Sequence, residues 1–423
     1  MSFADHSFVS TKHQSNTPAL PPFSLTSPAF HADPFPLYRQ LRTVAPIHPV
    51  TLPDGRAAWL VSRYADVNEL LRDKRFVKKP ANVPRAPGEA PVKPMWMPGF
   101  LQPLANNMLD LDGNDHTRLR NLVQPVFTPK LVEQLRPQVE RVANGLIDQA
   151  LARGRMDLLA DFALPLPVTI IATLLGVPEA DRRRFTRWSN VFINTTSNLE
   201  MVLGIPAMWQ FVRYVRHLVT QRRAHPAEDL ITALVQTEES GDRLTKDEVV
   251  AMITLLLIAG YETTVTLISS EMWALLQHPA QLAQLRAEPT LIKSAVEELL
   301  RFTSPVAVAT ERYACEPVTL HGVTIPRGGL TLAVLASANH DEAHFEQPET
   351  LDLQRAENRH LAFGQGIHYC LGAPLARLEG QIAINLLLER IPRLRLAVAP
   401  AALRWRKSLF IRSLRALPVL CDE

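Results

Sequence analysis

The sequence predicts a mainly α-helical chain with small β-sheets, folded as one large domain. Apolar residues recur at helical spacing through long segments between His116 and about residue 300. Strand-like text is short, flanks that block, and is punctuated by two hairpin turns, Asp54-Gly55 and His321-Gly322. Neither an internal repeat nor a linker interrupts residues 33–423.

In chain order, residues 1–32 read as a flexible leader, too rich in Pro, Ser and Thr to bury a core of their own. Asp33 stands where an N-cap belongs, ahead of a helix carrying Leu37 and Leu41. A hairpin follows, His48–Leu52 and Ala57–Val61 around Asp54-Gly55, then a helix over Tyr64–Leu71. Residues 76–107 hold prolines at 80, 84, 87, 91, 94, 98 and 103, which forbid long helices there. An irregular stretch of that length is usually functional, and it is read as a substrate-facing loop. Long amphipathic helices are expected over Leu131–Ala152, Pro167–Leu175, Met208–Arg222, Lys246–Gln277 and Leu291–Arg301. Strand-like text at Val306–Arg312, the second hairpin and an irregular run from His340 to His360 come next. A glycine loop, a helix from Leu371 to about Glu389 and a β-rich tail complete the chain.

Composition excludes several classes. Of 423 residues, 47% are hydrophobic and 21% charged, the balance of a globular protein and not of a collagen-like or disordered chain. Lys plus Arg (45) against Asp plus Glu (42) leaves +3, and no concentrated basic stripe marks a nucleic-acid binder. Three cysteines cannot form a disulfide scaffold; they point to a reducing compartment and a working thiolate. Residues 1–36 are polar, contain six prolines and lack the apolar core of a secretory signal. The longest apolar run, Val249–Tyr261, has thirteen residues, whereas a membrane span needs about 20. A soluble, cytoplasmic protein with no membrane or nucleic-acid partner is expected.

The most informative segment is Phe363-Gly364-Gln365-Gly366-Ile367-His368-Tyr369-Cys370-Leu371-Gly372. Gly364 and Gly366 permit a tight turn and a close approach of backbone to a flat ligand. Cys370 comes just before a helix with apolar positions 371, 375, 378, 382 and 386. The orphan N–H groups and positive dipole end of that helix favour a thiolate. A thiolate so placed is a good axial ligand for heme iron. A lone cysteine is more often a small buried hydrophobe, the reading kept for Cys315 and Cys421. The ordered Phe, Gly, Gly, His and Gly around Cys370 reverse that preference.

The run from Arg359 to Glu379, RHLAFGQGIHYCLGAPLARLE, resembles the heme-binding signature of the cytochrome P450 superfamily, and its second half is similar to soluble bacterial members. The resemblance implies the cytochrome P450 fold and heme b, with Cys370 as proximal iron ligand. It also implies that Phe363 packs beside the thiolate and that His368 reaches a propionate. Three further segments follow the family's order. Glu298 and Arg301 share a helix face; such pairs are mostly solvated, but Val296, Leu299 and Leu300 beside them are apolar. They resemble the family's Glu-x-x-Arg element, with Arg355 as candidate third partner and a structural role. Ala259-Gly260-Tyr261-Glu262-Thr263-Thr264 breaks the most hydrophobic helix with a glycine that costs about 1 kcal/mol against alanine. Threonine hydroxyls there can bond back to Gly260 or Ala259, and a local opening of the helix is expected. The segment resembles the family's oxygen-binding groove. By that resemblance Ala259 and Gly260 line the heme, Thr263 places dioxygen and its protonating water, and Glu262 connects that water to solvent. Tyr261 departs from the residue types often found there. Finally, His116 and Arg120, at i and i+4, resemble the segment that binds heme propionates, with Arg312 as a third cation.

The implied chemistry is monooxygenation: one atom of O2 enters a C–H or C=C bond of a hydrophobic small molecule. The chain has no cysteine cluster and no dinucleotide fingerprint, so a separate ferredoxin or flavodoxin with an NAD(P)H reductase is expected to supply electrons. Arg377 and Arg118 are candidate contacts for that partner. The acid–alcohol pair argues against a peroxide-driven fatty-acid peroxygenase. Retention of Cys370, Thr263 and the propionate cations argues against a non-catalytic heme or recruitment module. By family architecture the substrate pocket draws on Met97, Leu104, Met108, Phe192, Leu256, Ala259, Val306, Val308 and Phe410, types that suit an apolar, medium to large substrate. Resemblance to bacterial polyketide- and macrolide-tailoring members makes a secondary-metabolite precursor the first expectation.

Overall fold

The apolar run read from the sequence becomes part of a helix of 32 residues, Lys246–Gln277, around which the molecule is built. The computed structural model describes residues 23–85, 88–89, 98–194, 198–239 and 242–422. In chain order its helices are α1 (Pro28–Ala32), α2 (Phe35–Val44), α3 (Tyr64–Leu70), α4 (Gly113–Val123), α5 (Pro129–Gln134), α6 (Arg136–Arg153), α7 (Pro165–Leu174), α8 (Glu179–Asn194) and α9 (Asn198–Ala224). They continue with α10 (Leu230–Gln236), the central α11 (Lys246–Gln277), α12 (Pro279–Ala287), α13 (Ile292–Thr303), α14 (Leu335–Ala338) and α15 (Ala373–Arg390). The start of α11 is set by a capping box: Glu248 N–H donates to Thr245 Oγ1 at 3.2 Å, and Thr245 N–H donates to Glu248 Oε2 at 2.8 Å. Beyond that cap the helix is apolar nearly all round, which requires neighbours all round. They are α7, α9, α13, α15 and the turns of Gly99–Asn106. Among the described residues α11 is long and apolar enough to cross a bilayer, but 61% of its most apolar window is buried in this core.

The strands are short: β1 (Ile47–Thr51), β2 (Ala57–Val61), β3 (Phe76–Val77), β4 (Arg155–Asp157), β5 (Glu238–Glu239), β6 (Asp242–Arg243), β7 (Arg312–Ala314), β8 (Val318–Leu320), β9 (Val323–Ile325), β10 (Leu330–Ala333), β11 (Arg395–Leu396) and β12 (Pro418–Leu420). The main sheet has the order β1-β2-β10-β7-β3; β1 and β2 form the expected hairpin and β10 lies parallel to β2. His321 and Gly322 both take positive φ, 48° and 77°, as a two-residue turn between β8 and β9 demands.

Several expectations need correction. Order begins ahead of Asp33: α1 is capped by Ser27, and Leu25 and Phe30 are buried against Tyr38 and Leu41. Asp33 is not the residue at the cap of α2, although its carboxylate accepts the Phe35 N–H at 3.2 Å. The helix expected over Leu131–Ala152 is two, broken at Leu135, because Pro137 has no N–H for the carbonyl of Glu133. Val306–Arg312 is not a strand. Ala307 and Val308 donate to Phe410 O and Ala309 donates to Ala333 O, so the segment divides its hydrogen bonds between two partners and only Val306 bridges Ile411. The tail holds two short strands, with the rest irregular. Central helix α11 runs through Ala259–Thr264 without an opening: Thr263 Oγ1 donates to Ala259 O at 2.7 Å and Thr264 Oγ1 to Gly260 O at 2.8 Å, both within the helix.

Candidate active site

The cysteine loop is held from three directions. Cys370 N–H closes the turn on Phe363 O at 3.0 Å, across two glycines with left-handed φ, 68° at Gly364 and 73° at Gly366. A methyl at Gly366 would fall 2.5 Å from Leu71 O, so this loop packs directly on the end of α3. Helix α15 starts at Ala373, two residues later than expected, and this leaves the Gly372 and Ala373 N–H groups facing Cys370. Burial pushes the thiol up, whereas those N–H groups and the cations of Arg120 and Arg377 stabilise the thiolate. Arg377 lies 4.4 Å over the Phe363 ring and is tied to Glu297 by bonds of 2.6 and 2.8 Å. Arg120 reaches from α4 to Tyr369 O at 2.8 Å and Ile367 O at 3.4 Å, so it grips the loop backbone.

Beside the loop, basic groups converge without a carboxylate of their own. His116 is 1% exposed, neither ring nitrogen has a partner, and its ring lies 4.3 Å from that of half-buried His368. Arg312, on β7, is buried with one bond to Thr310 O at 3.3 Å. Sequence reasoning missed a further member, Lys78. Its buried ammonium donates to Thr310 Oγ1 and, at 2.9 Å, to Glu311 O. Asp112, whose charge bears on this group, already accepts the Lys78 N–H at 2.8 and 2.9 Å and Asn82 Nδ2 at 2.8 Å. Burial, joined by neighbouring cations, pushes His368 down to about 2 and Lys78 to about 7, and burial alone pushes Arg312 down to about 10. A thiol ligand with N–H support, next to orphaned imidazoles and uncompensated cations, fits a flat dianionic metal cofactor such as heme.

On α11, Ala259 is exposed among mostly half-buried neighbours, and Thr263 is half-buried. Gly260 has a different reason: a methyl there would come within 3.2 Å of Ile171 Cδ1, so it serves the packing of α7 on α11. Glu262 is half-buried, and burial raises its pKa while Arg406, 3.6 Å away, lowers it. Tyr261 is buried and pushed up to about 12, chiefly by burial. The expected structural trio comes together. Arg301 holds Glu298 through Nε (2.7 Å) and Nη2 (2.8 Å), and Arg355 Nε reaches the same carboxylate at 3.1 Å.

The pocket residues divide. Leu104, Leu256, Val306 and Phe410 are half-buried. Val308, 1% exposed, and Met108 are buried, each within an apolar core cluster. Met97 lies outside the described residues, as does the side chain of Phe192. Arg118 is not a free docking charge, being paired with Asp242 and, at 2.7 Å, with Glu248.

A protein-family model described as Cytochrome P450 matches residues 207–392. Cytochrome P450 monooxygenase PikC of Streptomyces venezuelae is 44% identical over 414 residues, 96% of either chain. The polyketide biosynthesis cytochrome P450 PksS of Bacillus subtilis is 42% identical over 393 residues, 92% of this chain and 96% of the relative. Its solved structure matches with a TM-score of 0.88 at 41% identity, covering 95% of this chain and 100% of that one. The structure of P450BioI in complex with hexadec-9Z-enoic acid ligated acyl carrier protein matches with a TM-score of 0.82 at 37% identity, covering 93% and 99%.

Proposed function

Because this chain belongs to the cytochrome P450 family and is a heme-thiolate monooxygenase, we propose that it oxygenates a C–H or C=C bond of an apolar polyketide-like or acyl substrate. The cofactor in this reading is heme b, and electrons come from a separate ferredoxin or flavodoxin with an NAD(P)H reductase. The observation that carries it is the Cys370 thiol, faced by two backbone N–H groups, beside a buried basic cluster in which no member has a salt-bridge partner among the described residues and His116 has no hydrogen-bond partner. Support for the substrate class comes from the polyketide relative and the acyl-bound neighbour, together with the apolar side chains of Leu104, Leu256, Val306 and Phe410.

Heme, when bound, supplies oxygen activation and the oxidant. The chain supplies everything around it. Cys370 would be the iron ligand, and Phe363 with Gly364 and Gly366 shapes the loop that presents it. His116, His368, Arg312 and Lys78 would hold the propionates, while Arg120 fastens the loop to α4. Thr263 has its hydroxyl hydrogen committed to Ala259 O, which leaves its lone pairs to accept a hydrogen bond from a water on the cavity side. Glu262, with its pKa raised by burial, exchanges protons between that water and solvent. Glu298, Arg301 and Arg355 are structural.

The test is a spectral titration. The reduced carbon monoxide complex should show the red-shifted Soret band of thiolate ligation, and Cys370→Ala should abolish it. Macrolactones or long-chain acyl compounds should shift the oxidised protein from low to high spin, and Thr263→Ala should keep both signals while product formed per electron falls about 10²-fold. A histidine-type carbon monoxide spectrum would overturn the ligand assignment. A spin shift with steroids alone would overturn the substrate class.

A further inference from the structure

The sequence carries a short arginine run, Arg182–Arg184 with Arg187 one turn on, and the fold sets a second helix with Arg213 beside it. Arg183, Arg184 and Arg187 on α8 are exposed, as are Arg213 and His217 on α9. The helices are clamped by Phe185 on Phe211 (5.5 Å), Trp188 on Tyr214 (5.5 Å) and a Trp188 Nε1 bond to Gln210 Oε1 at 2.7 Å. Helical spacing places Arg184 one turn before Trp188 on the same side. The outer seam is a groove of about 470 Å³ lined by Trp188, Trp209, Gln210, Arg213, Tyr214 and His217. Trp209 is 44% exposed and lies 5.2 Å under the Arg213 guanidinium.

These arginines differ from their neighbours in having no carboxylate partner among the described residues. Arg216 is paired with Asp247 at 3.0 Å and Arg222 with Asp229. Of the acids on α8, Asp181 accepts the Tyr214 hydroxyl at 3.0 Å, and Glu179 sits in the first turn, one turn ahead of Arg183. The place of the seam restricts what can dock. Helix α9 packs on α11 and on the Gly99–Asn106 turns of the substrate-facing loop, whereas neither α8 nor α9 packs comparably on α13 or α15, the helix that follows the cysteine. An electron donor is therefore poorly served here, and a partner concerned with substrate is well served. Both helices lack lysine, so every strong cation is an arginine fork, which suits planar carboxylates and phosphates set among aromatic rings.

We propose that this seam docks an acidic carrier protein that presents the substrate on a phosphopantetheine arm. The inference rests on the acyl or polyketide reading above and adds the form in which the substrate arrives. Acidic side chains of the carrier face Arg184, Arg187 and Arg213, and exposed Trp209 supplies the apolar contact.

The experiment uses the heme-loaded enzyme and an acyl carrier protein bearing a hexadecenoyl phosphopantetheine arm as probe. Binding is followed by the spin-state shift and by calorimetry at two salt concentrations. The wild type should bind with a salt-dependent Kd, and the triple variant Arg184→Glu, Arg187→Glu, Arg213→Glu should bind at least 10-fold more weakly. Free hexadecenoic acid should shift the spin state equally in both proteins, which also shows that the variant is folded. Absent carrier binding, or equal binding by both proteins, overturns the proposal. So does slower reduction of the variant by a ferredoxin, which would make the seam an electron-donor face, or loss of binding to anionic vesicles without loss of carrier binding, which would make it a membrane face. If free acyl compounds give no spin shift in either protein, the substrate reading itself fails, an outcome distinct from failure of docking.

Discussion

Two of the protein's buried charge clusters are treated in opposite ways. Around Glu298 everything is matched. Both carboxylate oxygens accept from Arg301, Arg355, Asn358 and the Asp352 N–H, and Arg301 spends its remaining hydrogens on the carbonyls of Asn339, Pro348 and Thr350. Around His116 the matching is incomplete. Two orphan ring nitrogens, Arg312, Lys78 and His368 share one neighbourhood; Lys78 and Arg312 reach only neutral oxygens of Thr310 and Glu311, and burial, with repulsion at Lys78 and His368, lowers their pKa values. A cluster that serves the fold completes itself, because an unpaired buried charge is strongly destabilising. A cluster that serves a ligand stays incomplete, and the ligand supplies the missing charge.

The contrast can be broken most severely at Arg301. Replacing it with Met leaves Glu298, at 0% exposure, with Arg355 as its one remaining cation and should cost about 3–5 kcal/mol, equally with and without heme. Urea unfolding of both forms measures it, and a loss confined to the heme-loaded form would erase the distinction. Arg312→Gln should behave in the reverse manner. Heme transfer to a myoglobin acceptor should quicken by about 10- to 100-fold, as expected for losing a charge-assisted bond of about 1.5–3 kcal/mol, while the heme-free protein keeps its stability.

Acid titration sharpens the same comparison. A histidine whose folded pKa lies below 6.5 stays neutral in the fold while the unfolded chain takes up a proton. Stability is therefore full above about pH 6.5 and falls as pH drops from there toward the folded value, about 2 for His368. The heme-free protein should lose about 1 kcal/mol from this residue between about pH 7 and pH 5.5, a loss that bound propionates reduce and His368→Gln removes. His340, pushed down to about 3 and bonded through Nε2 to Phe302 O, should contribute equally to both forms. The smallest effect is expected at Arg118. Its half-exposed pairing makes Arg118→Gln worth about 0–1 kcal/mol, and reduction by a ferredoxin should be unchanged. Slowed reduction would restore Arg118 as a docking residue.

What could be read before folding follows from how far apart the interacting residues lie. The cysteine loop was legible because its glycines, its ligand and the helix that supports it are contiguous, and local backbone geometry dictates all three. The capping box at Thr245 and the turn at His321-Gly322 were legible for the same reason. Arg355 could be matched to Glu298 only by resemblance, since 57 positions separate them.

Chain sequence alone therefore determined the family, the loop around Cys370, the adjacent Glu262 and Thr263 and the long central helix, since each is written in a short stretch of its own. Tertiary structure alone decided which apolar side chains became core, as with Val308 and Met108, and which arginines were spent inside the chain, as with Arg118 and Arg377. It also brought Lys78 to the buried basic cluster around His368 and placed the arginines of α8 and α9 along one seam. Periodicity reports that a side chain is buried or exposed on its own element, but what it meets there depends on a second element whose approach no local pattern encodes.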